Sequence, residues 1–99
     1  MAKGYWVLSG TIHTPLGMVP YISKFTSWLP TVGARLVVRD LQCDVREGAP
    51  GPVNIIVEFD SKEAAITAYE SEEYQELINL RTQHSDLNLT ITEELIANK

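Results

Sequence analysis

The chain has 99 residues, 44% of them hydrophobic and 21% charged, which is typical of one soluble globular domain spanning residues 1–99. Its net charge of −5 repels a phosphate backbone and argues against nucleic acid as the main partner. No apolar run approaches the roughly 20 residues that cross a bilayer, and the single cysteine, Cys43, cannot form an internal disulfide. We therefore expect a cytoplasmic protein with no membrane partner.

A strand, a helix and a second strand are predicted in the first half of the chain. Residues 5–13 alternate as a strand does, and residues 14–17 have the composition of a turn. From Met18 the apolar period becomes that of a helix, which ends before Gly33. The seam of this helix is formed by Met18, Ile22, Phe25, Leu29 and Val32. Residues 34–43 are predicted to form the second strand, and a loop rich in glycine and proline follows.

The second half repeats the plan of strand, helix and strand. The segment Val53–Phe59 alternates so that one face is wholly apolar and the other mixed, which is typical of a sheet covered by helices on one side. Ser61 has the position of an N-cap, and a second cap at Ser71 predicts a break in the helix near Glu70. The last strand is predicted over residues 86–95.

Two βαβ halves in this order define the ferredoxin-like plan βαββαβ, an α+β fold. The four strands would form an antiparallel sheet in spatial order 4-1-3-2, with the helices on one face. The other face would be left bare, and a second copy of the chain is the natural cover for it. We therefore predict a homodimer in which two sheets form a dimeric α/β barrel.

Short motifs along the chain support the same architecture. They are Gly33-Ala34-Arg35, Glu58-Phe59-Asp60-Ser61 and Ser71-Glu72-Glu73-Tyr74-Gln75, followed by Arg81. These motifs resemble an uncharacterised bacterial domain-of-unknown-function family of the dimeric α/β-barrel superfamily, whose members carry GGR, EFPS and SPEYQ in that order. The resemblance implies a ferredoxin-like protomer and a dimer. The chain departs from the family pattern at Ala34, where the family has its second glycine, and at Asp60, where it has a proline.

Arg35 and Arg39 are the most informative charged residues. Four residues apart on a strand, they would face the same side, roughly 13 Å apart at about 3.3 Å per residue. Guanidinium groups bind carboxylates and phosphates, so the pair could anchor an acidic small molecule. The alternative is an ion pair with Glu58 or with a carboxylate of a partner subunit.

The remaining candidate site residues are a histidine and several aromatics. His13, at the end of the first strand, could act as a general base together with Tyr21, or could be a surface or capping residue. Tyr21 and Trp28 lie seven residues apart and could line a cleft between helices and sheet. Tyr69 and Tyr74 are further candidates for contact with a substrate. The alternative for all of these helical aromatics is a place in the core or in a dimer contact.

Two functions of different classes remain open at this point. The first is an enzyme without a bound cofactor, of oxygenase, isomerase or cyclase type, acting on a small acidic or carbonyl substrate; it is a fold-level analogy. The second is a non-catalytic ligand-binding or structural accessory dimer. The acidic charge and the lack of paired aromatics on the central strands disfavour RNA binding. No metal or other cofactor is predicted, because the two histidines and the cysteine have no metal-ligand spacing.

Overall fold

The structure is a computed structural model that describes residues 2–96; Met1 and residues 97–99 of the predicted domain lie outside the described residues. The strands and α-helices are β1 Gly4–Ile12, α1 Val19–Trp28, β2 Arg35–Asp40, β3 Val53–Phe59, α2 Lys62–Glu70, α3 Glu72–Arg81 and β4 Ser85–Glu93. Short 3₁₀ turns at Pro15–Met18 and Leu29–Val32 precede and follow α1. The order of these elements confirms the predicted ferredoxin-like plan.

The four strands form one antiparallel sheet in the order β2-β3-β1-β4, which confirms the predicted order 4-1-3-2. β1 pairs with β3 over Gly4–Gly10 and with β4 over Gly4–Ile12. The helices cover the sheet face that carries the buried side chains of Trp6 and Val57. We call this the inner face, and the opposite one the outer face.

The predicted caps and the predicted helix break are present. Ser61 Oγ accepts a hydrogen bond from Ala64 N–H at 3.0 Å and starts α2. Ser71 has an extended backbone, and its Oγ accepts from Tyr74 N–H at 3.3 Å, so that α3 begins as a separate helix. The Ser71 hydroxyl donates to Ala68 O at 2.7 Å, which ties the end of α2 to the start of α3.

The helix α1 departs from the predicted seam only at Ile22, since Met18, Phe25 and Leu29 of that seam are buried and Val32 packs against the core. Its buried residues are Tyr21, Phe25 and Trp28. Ile22 is 40% exposed, so its place in the predicted seam is wrong. Aromatic side chains bury more apolar area than an isoleucine does, and Tyr21 also gains a buried hydroxyl partner, so the aromatic side faces the core.

The core is centred on Trp6, which is fully buried. Its Nε1–H donates to Ala65 O at 2.9 Å, which links β1 to α2. Five rings lie with their centroids between 4.7 and 6.4 Å from that of Trp6: Phe25, Trp28, Phe59, Tyr69 and Tyr74. Helices and sheet therefore share one aromatic cluster.

Two glycines permit close backbone contacts where the end of the long loop between β2 and β3 meets β1 and where β1 meets β4. A Cβ at Gly10, whose φ is 147°, would overlap the backbone oxygen of Asp86. A Cβ at Gly51, whose φ is 86°, would overlap the backbone oxygen of Gly10. Cys43 N–H donates to Pro52 O at 2.9 Å and closes the base of the loop.

The edge strand β2 differs from its prediction in length and in register. It ends at Asp40 rather than at Cys43, because Asp40 Oδ1 accepts a hydrogen bond from Gln42 N–H at 2.9 Å and closes a turn. Between Leu36 and Val38 the pairing with β3 shifts by one residue, which is a β-bulge. An extra residue of this kind reverses the alternation of side chains beyond it.

Candidate functional site

The bulge in β2 separates the two arginines that the sequence placed on one face. Arg35 pairs with Glu58 on the outer face, before the bulge. Arg39 pairs with Ile55 after it, and both of these side chains line a cavity on the inner face. The prediction that Arg35 and Arg39 face the same side is therefore wrong, because the extra residue lies between them.

Arg35 forms the ion pair that was the alternative to an anion site. Its Nε lies 2.8 Å from Glu58 Oε1 and its Nη2 lies 3.3 Å from Asp60 Oδ1. Lys3 Nζ lies 3.4 Å from the same Glu58 oxygen. The hydrogen bond from Arg35 holds the pKa of Glu58 below its ordinary value. The Arg35 guanidinium is thus already occupied, and a substrate-binding role for it stays a prediction.

The low pKa of Glu58 leads to a pH-dependent prediction. Because the folded-state pKa lies below the ordinary 4.5, the pair stabilises the fold above that pH and loses its effect as the pH falls through the lowered value. Glu58→Gln is therefore expected to lower the free energy of unfolding slightly at neutral pH and to have progressively less effect in acid. Urea unfolding over a pH series measures this. Glu47→Gln, on an exposed loop residue with no ion pair within residues 2–96, is the control. A pH-independent difference for Glu58→Gln would contradict the prediction.

A cavity of about 100 Å³ lies between α1 and the inner face of the sheet. Its polar contributors are Arg39, Tyr21 and Thr26. The rest of the lining is apolar: Leu8, Ile12, Met18, Ile22, Phe25, Leu36, Ile55 and Leu87. An apolar cavity of about 150 Å³ in another protein holds benzene, so this one suits a single small ring or a short chain.

Arg39 is the charged residue in this lining. Its side chain is exposed and makes no hydrogen bond or ion pair with the residues that the structure describes. Apolar walls with a few polar groups are typical of small-molecule sites, and an unpaired guanidinium is suited to a carboxylate or carbonyl oxygen. Arg39 is therefore the predicted substrate-binding residue whose position best fits that role.

Tyr21 lines the same cavity but is only 5% exposed. Its hydroxyl lies 2.9 Å from the Tyr74 hydroxyl. Burial, reinforced by Tyr74 and partly opposed by Arg81, raises the pKa of Tyr21 far above its ordinary range. Tyr21 is thus a neutral phenol that can donate a hydrogen bond. Its catalytic role stays a prediction.

Arg81 is a site candidate that the sequence reasoning did not select. It is 6% exposed, and its guanidinium carbon lies 5.8 Å from the centroid of the Tyr21 ring. Its Nε has no hydrogen-bond partner, and it forms no ion pair with any carboxylate in residues 2–96. A signal was available, since Arg81 follows Tyr74 by seven residues and so shares the buried side of α3.

The other predicted aromatics do not line the cavity. Trp28 lies instead beside a shallow groove between α1 and α3. The prediction that Tyr21 and Trp28 line one cleft is wrong, because Trp28 stacks on Trp6 in the core. Tyr69 and Tyr74 also pack against Trp6, as in the alternative of core contacts. Their role in binding a substrate stays a prediction.

His13 lies just beyond the end of β1. Its Nε2 is 2.6 Å from Asp86 Oδ2, and both side chains are at least half exposed. Asp86 pairs with Thr11, so its side chain projects toward the outer face, away from the cavity. The general-base role of His13 stays a prediction, and it is not among the cavity-lining residues.

The described part of the chain has neither a membrane-spanning helix nor a metal-binding cluster. No helix within residues 2–96 is both long enough and apolar enough to cross a membrane. Over the same residues, no three side chains of His, Cys, Asp or Glu come together in a way that could hold a metal ion.

Several solved structures have the same fold. A protein of unknown function from Rhodopseudomonas palustris has a TM-score of 0.73 and 14% identity, over 96% of this chain and 84% of that chain. A dimeric ferredoxin-like protein of unknown function from Jannaschia has a TM-score of 0.67 and 10% identity, over 95% and 99%. SnoaB, a cofactor-independent oxygenase from Streptomyces nogalater, has a TM-score of 0.65 and 11% identity, over 100% of both chains. Identities this low establish a common fold and no common reaction.

Sequence comparison identifies the family. A comparison with curated proteins gives no match. The domain of unknown function DUF1330 matches residues 3–95, which is nearly the whole chain. This match confirms the resemblance inferred from the three motifs. The chain therefore belongs to the DUF1330 family, with the ferredoxin-like fold described above.

Proposed function

We propose that the protein binds a small, mostly apolar molecule carrying an acidic or carbonyl group in the cavity between α1 and the sheet. The observation that carries this proposal is the unpaired guanidinium of Arg39 in an otherwise largely apolar lining. The guanidinium would bind the oxygen atoms of the ligand, and the apolar walls would hold its carbon skeleton. The size of the cavity limits the buried part to about one ring.

Arg39→Gln tests this proposal with benzoate as the probe and benzamide as its uncharged analogue. Benzoate is expected to bind the unaltered protein more tightly than benzamide does, because only benzoate offers a carboxylate to the guanidinium. Loss of a charge-assisted hydrogen bond costs about 1.5 kcal/mol or more, so the affinity for benzoate should fall about tenfold in Arg39→Gln. The affinity for benzamide should change little. Titration followed by NMR measures both affinities.

Arg46→Gln is the matched control for this experiment. Arg46 lies in the loop after β2 and its Nη2 is 2.8 Å from Asp44 Oδ2, so the substitution removes the same charge away from the cavity. Benzoate affinity should be unchanged in this variant. Equal benzoate affinity in Arg39→Gln and Arg46→Gln would contradict the proposed role of Arg39.

The finer proposal is that the bound molecule is converted without a bound cofactor. It is supported by SnoaB and by an antibiotic biosynthesis monooxygenase with a TM-score of 0.53 and 12% identity, both of which share the fold. The alternative is a non-catalytic binding or accessory protein. Mass spectrometry separates the two. A ligand that titration has identified is incubated with the protein in aerated buffer, and the mixture is then analysed for a product. A product that forms only with the protein supports catalysis, and an unchanged ligand supports simple binding.

We also propose that two copies of the chain associate through the outer face of the sheet. Val37 and Val38 there are 48% and 38% exposed, and Tyr5, Val7 and Ile56 are half-buried beside a shallow groove. An exposed apolar sheet face of this kind favours association. The dimeric state stated for the Jannaschia protein, and for a protein of the same fold from Bacteroides fragilis, supports the proposal.

A further inference from the structure

Tyr21, Tyr74 and Arg81 form a buried cluster at the wall of the cavity, and the binding proposal above does not use it. Tyr21 belongs to α1, and the other two belong to α3. The hydroxyls of Tyr21 and Tyr74 are 2.9 Å apart, and the bond between them uses one of their two hydrogens. The other hydroxyl hydrogen and the Nε–H of Arg81 have no acceptor within residues 2–96. The cluster thus has more donors than acceptors.

The position of the two tyrosines indicates which hydroxyl hydrogen is free. Tyr74 is fully buried and does not line the cavity, whereas Tyr21 does. If Tyr21 donated to Tyr74, the hydrogen of Tyr74 would be buried without an acceptor, which is costly. If Tyr74 donates to Tyr21, the hydrogen of Tyr21 remains for a group inside the cavity. The second arrangement is therefore favoured.

The charge of the cluster also favours a ligand that accepts hydrogen bonds. The Arg81 guanidinium is buried against the Tyr21 ring, and no carboxylate within the described residues forms an ion pair with it. A buried charge is stabilised by a charge of opposite sign nearby. The charged residue that lines the cavity, Arg39 on β2, is also positive. Both the missing acceptor and the missing negative charge would be supplied by an oxyanion.

We propose that Tyr21 donates a hydrogen bond to an oxyanion of the bound molecule, with Tyr74 and Arg81 as positioning residues. The ligand class is a small phenol or enolisable carbonyl compound that binds as its phenolate or enolate and releases its proton to water. A second group of the ligand, acidic or carbonyl, would face Arg39, so this inference rests on the proposed function. Burial, the main cause of the raised pKa of Tyr21, agrees with it, because a phenol that stays protonated remains a donor.

The probe for this inference is para-nitrophenol, whose phenolate form absorbs visible light. Its phenolate is expected to bind about tenfold more tightly than the neutral phenol, so that its pKa falls by about one unit when it is bound. Tyr21→Phe should remove most of this shift, and the positive charges of Arg39 and Arg81 account for any remainder. Tyr5→Phe, which removes a hydroxyl from the outer face, should leave the lowered pKa unchanged and is the control.

The pKa of the bound probe tests the two positioning residues, because a purely structural role of either residue would leave it unchanged. Tyr74→Phe keeps the ring in the core, and Arg81→Lys keeps the positive charge. Each variant should retain only part of the pKa shift of the probe while binding the neutral phenol as before. Tyr74→Phe tests the cluster even where the Arg81 variant fails to fold, because it leaves the buried guanidinium in place.

The outcomes separate this inference from the function on which it rests. Benzoate binding that depends on Arg39, without a preference for the phenolate, would keep the proposed function and overturn the oxyanion site. A phenolate preference that largely disappears in Tyr21→Phe, with benzoate binding indifferent to Arg39, would support the oxyanion site and reject the Arg39 anchor. An undiminished shift in Tyr21→Phe would overturn the inference, and so would failure of both forms of the probe to bind.

Discussion

Replacement of Trp6 by alanine is expected to lower the free energy of unfolding by about 3–5 kcal/mol, the usual cost of removing a large buried aromatic side chain. The indole is fully buried, contacts five other rings and donates a hydrogen bond from β1 to Ala65 O in α2. A domain of this size has a total stability of about 5–15 kcal/mol, so the variant should be close to unfolding. Guanidinium titration followed by the fluorescence of the remaining Trp28 measures the change.

Leu16→Ala is the matched control for apolar truncation, because Leu16 is 85% exposed. It should change the free energy of unfolding by less than about 0.5 kcal/mol. Both variants have to be compared at one protein concentration, since association would contribute to the measured stability. A loss below about 1 kcal/mol in Trp6→Ala would show that the aromatic cluster does not hold helices and sheet together.

A carboxylate at the middle of the outer face, introduced as Val7→Glu, is expected to convert the proposed dimer into a monomer. Val7 lies on a central strand, between Ile56 of β3 and Thr90 of β4. In a dimer formed through this face its side chain would be buried, and the effective cost of burying an unpaired charge is several kcal/mol. The dissociation constant should therefore rise by about a hundredfold or more. Sedimentation equilibrium over a range of protein concentrations measures it.

Thr67→Glu adds the same charge to the exposed side of α2, in the helical layer, and should leave the assembly unchanged. Val7→Glu should also leave the cavity intact, because the cavity lies on the opposite face of the sheet. The dimer proposal would be rejected if the unaltered protein were monomeric at all concentrations. It would equally be rejected if Val7→Glu associated as strongly as Thr67→Glu.

The candidate site shows which properties of a residue can be predicted from a sequence pattern. Arg39 was predicted to bind a ligand because of its charge. The predicted orientation of its side chain was wrong, because the bulge interrupts the alternation of side chains along β2. Tyr21 was predicted as a site residue because of its hydroxyl group. Tyr74 was predicted to contact a substrate, whereas in the structure its hydroxyl lies beside that of Tyr21. Arg81 was not predicted as a binding residue, although its spacing of seven residues from Tyr74 indicates the buried side of α3.

The sequence by itself determined the elements whose causes are local. The alternation of Val53–Phe59 and the caps at Ser61 and Ser71 depend on residues two to four positions apart, and the strand order follows from the βαββαβ pattern. Only the tertiary structure decided what faces the cavity. Tyr21 meets Tyr74 across 53 positions, so this contact exists only in the assembled fold. The bulge before Arg39 likewise arises from the pairing of two strands and has no signal in either strand alone.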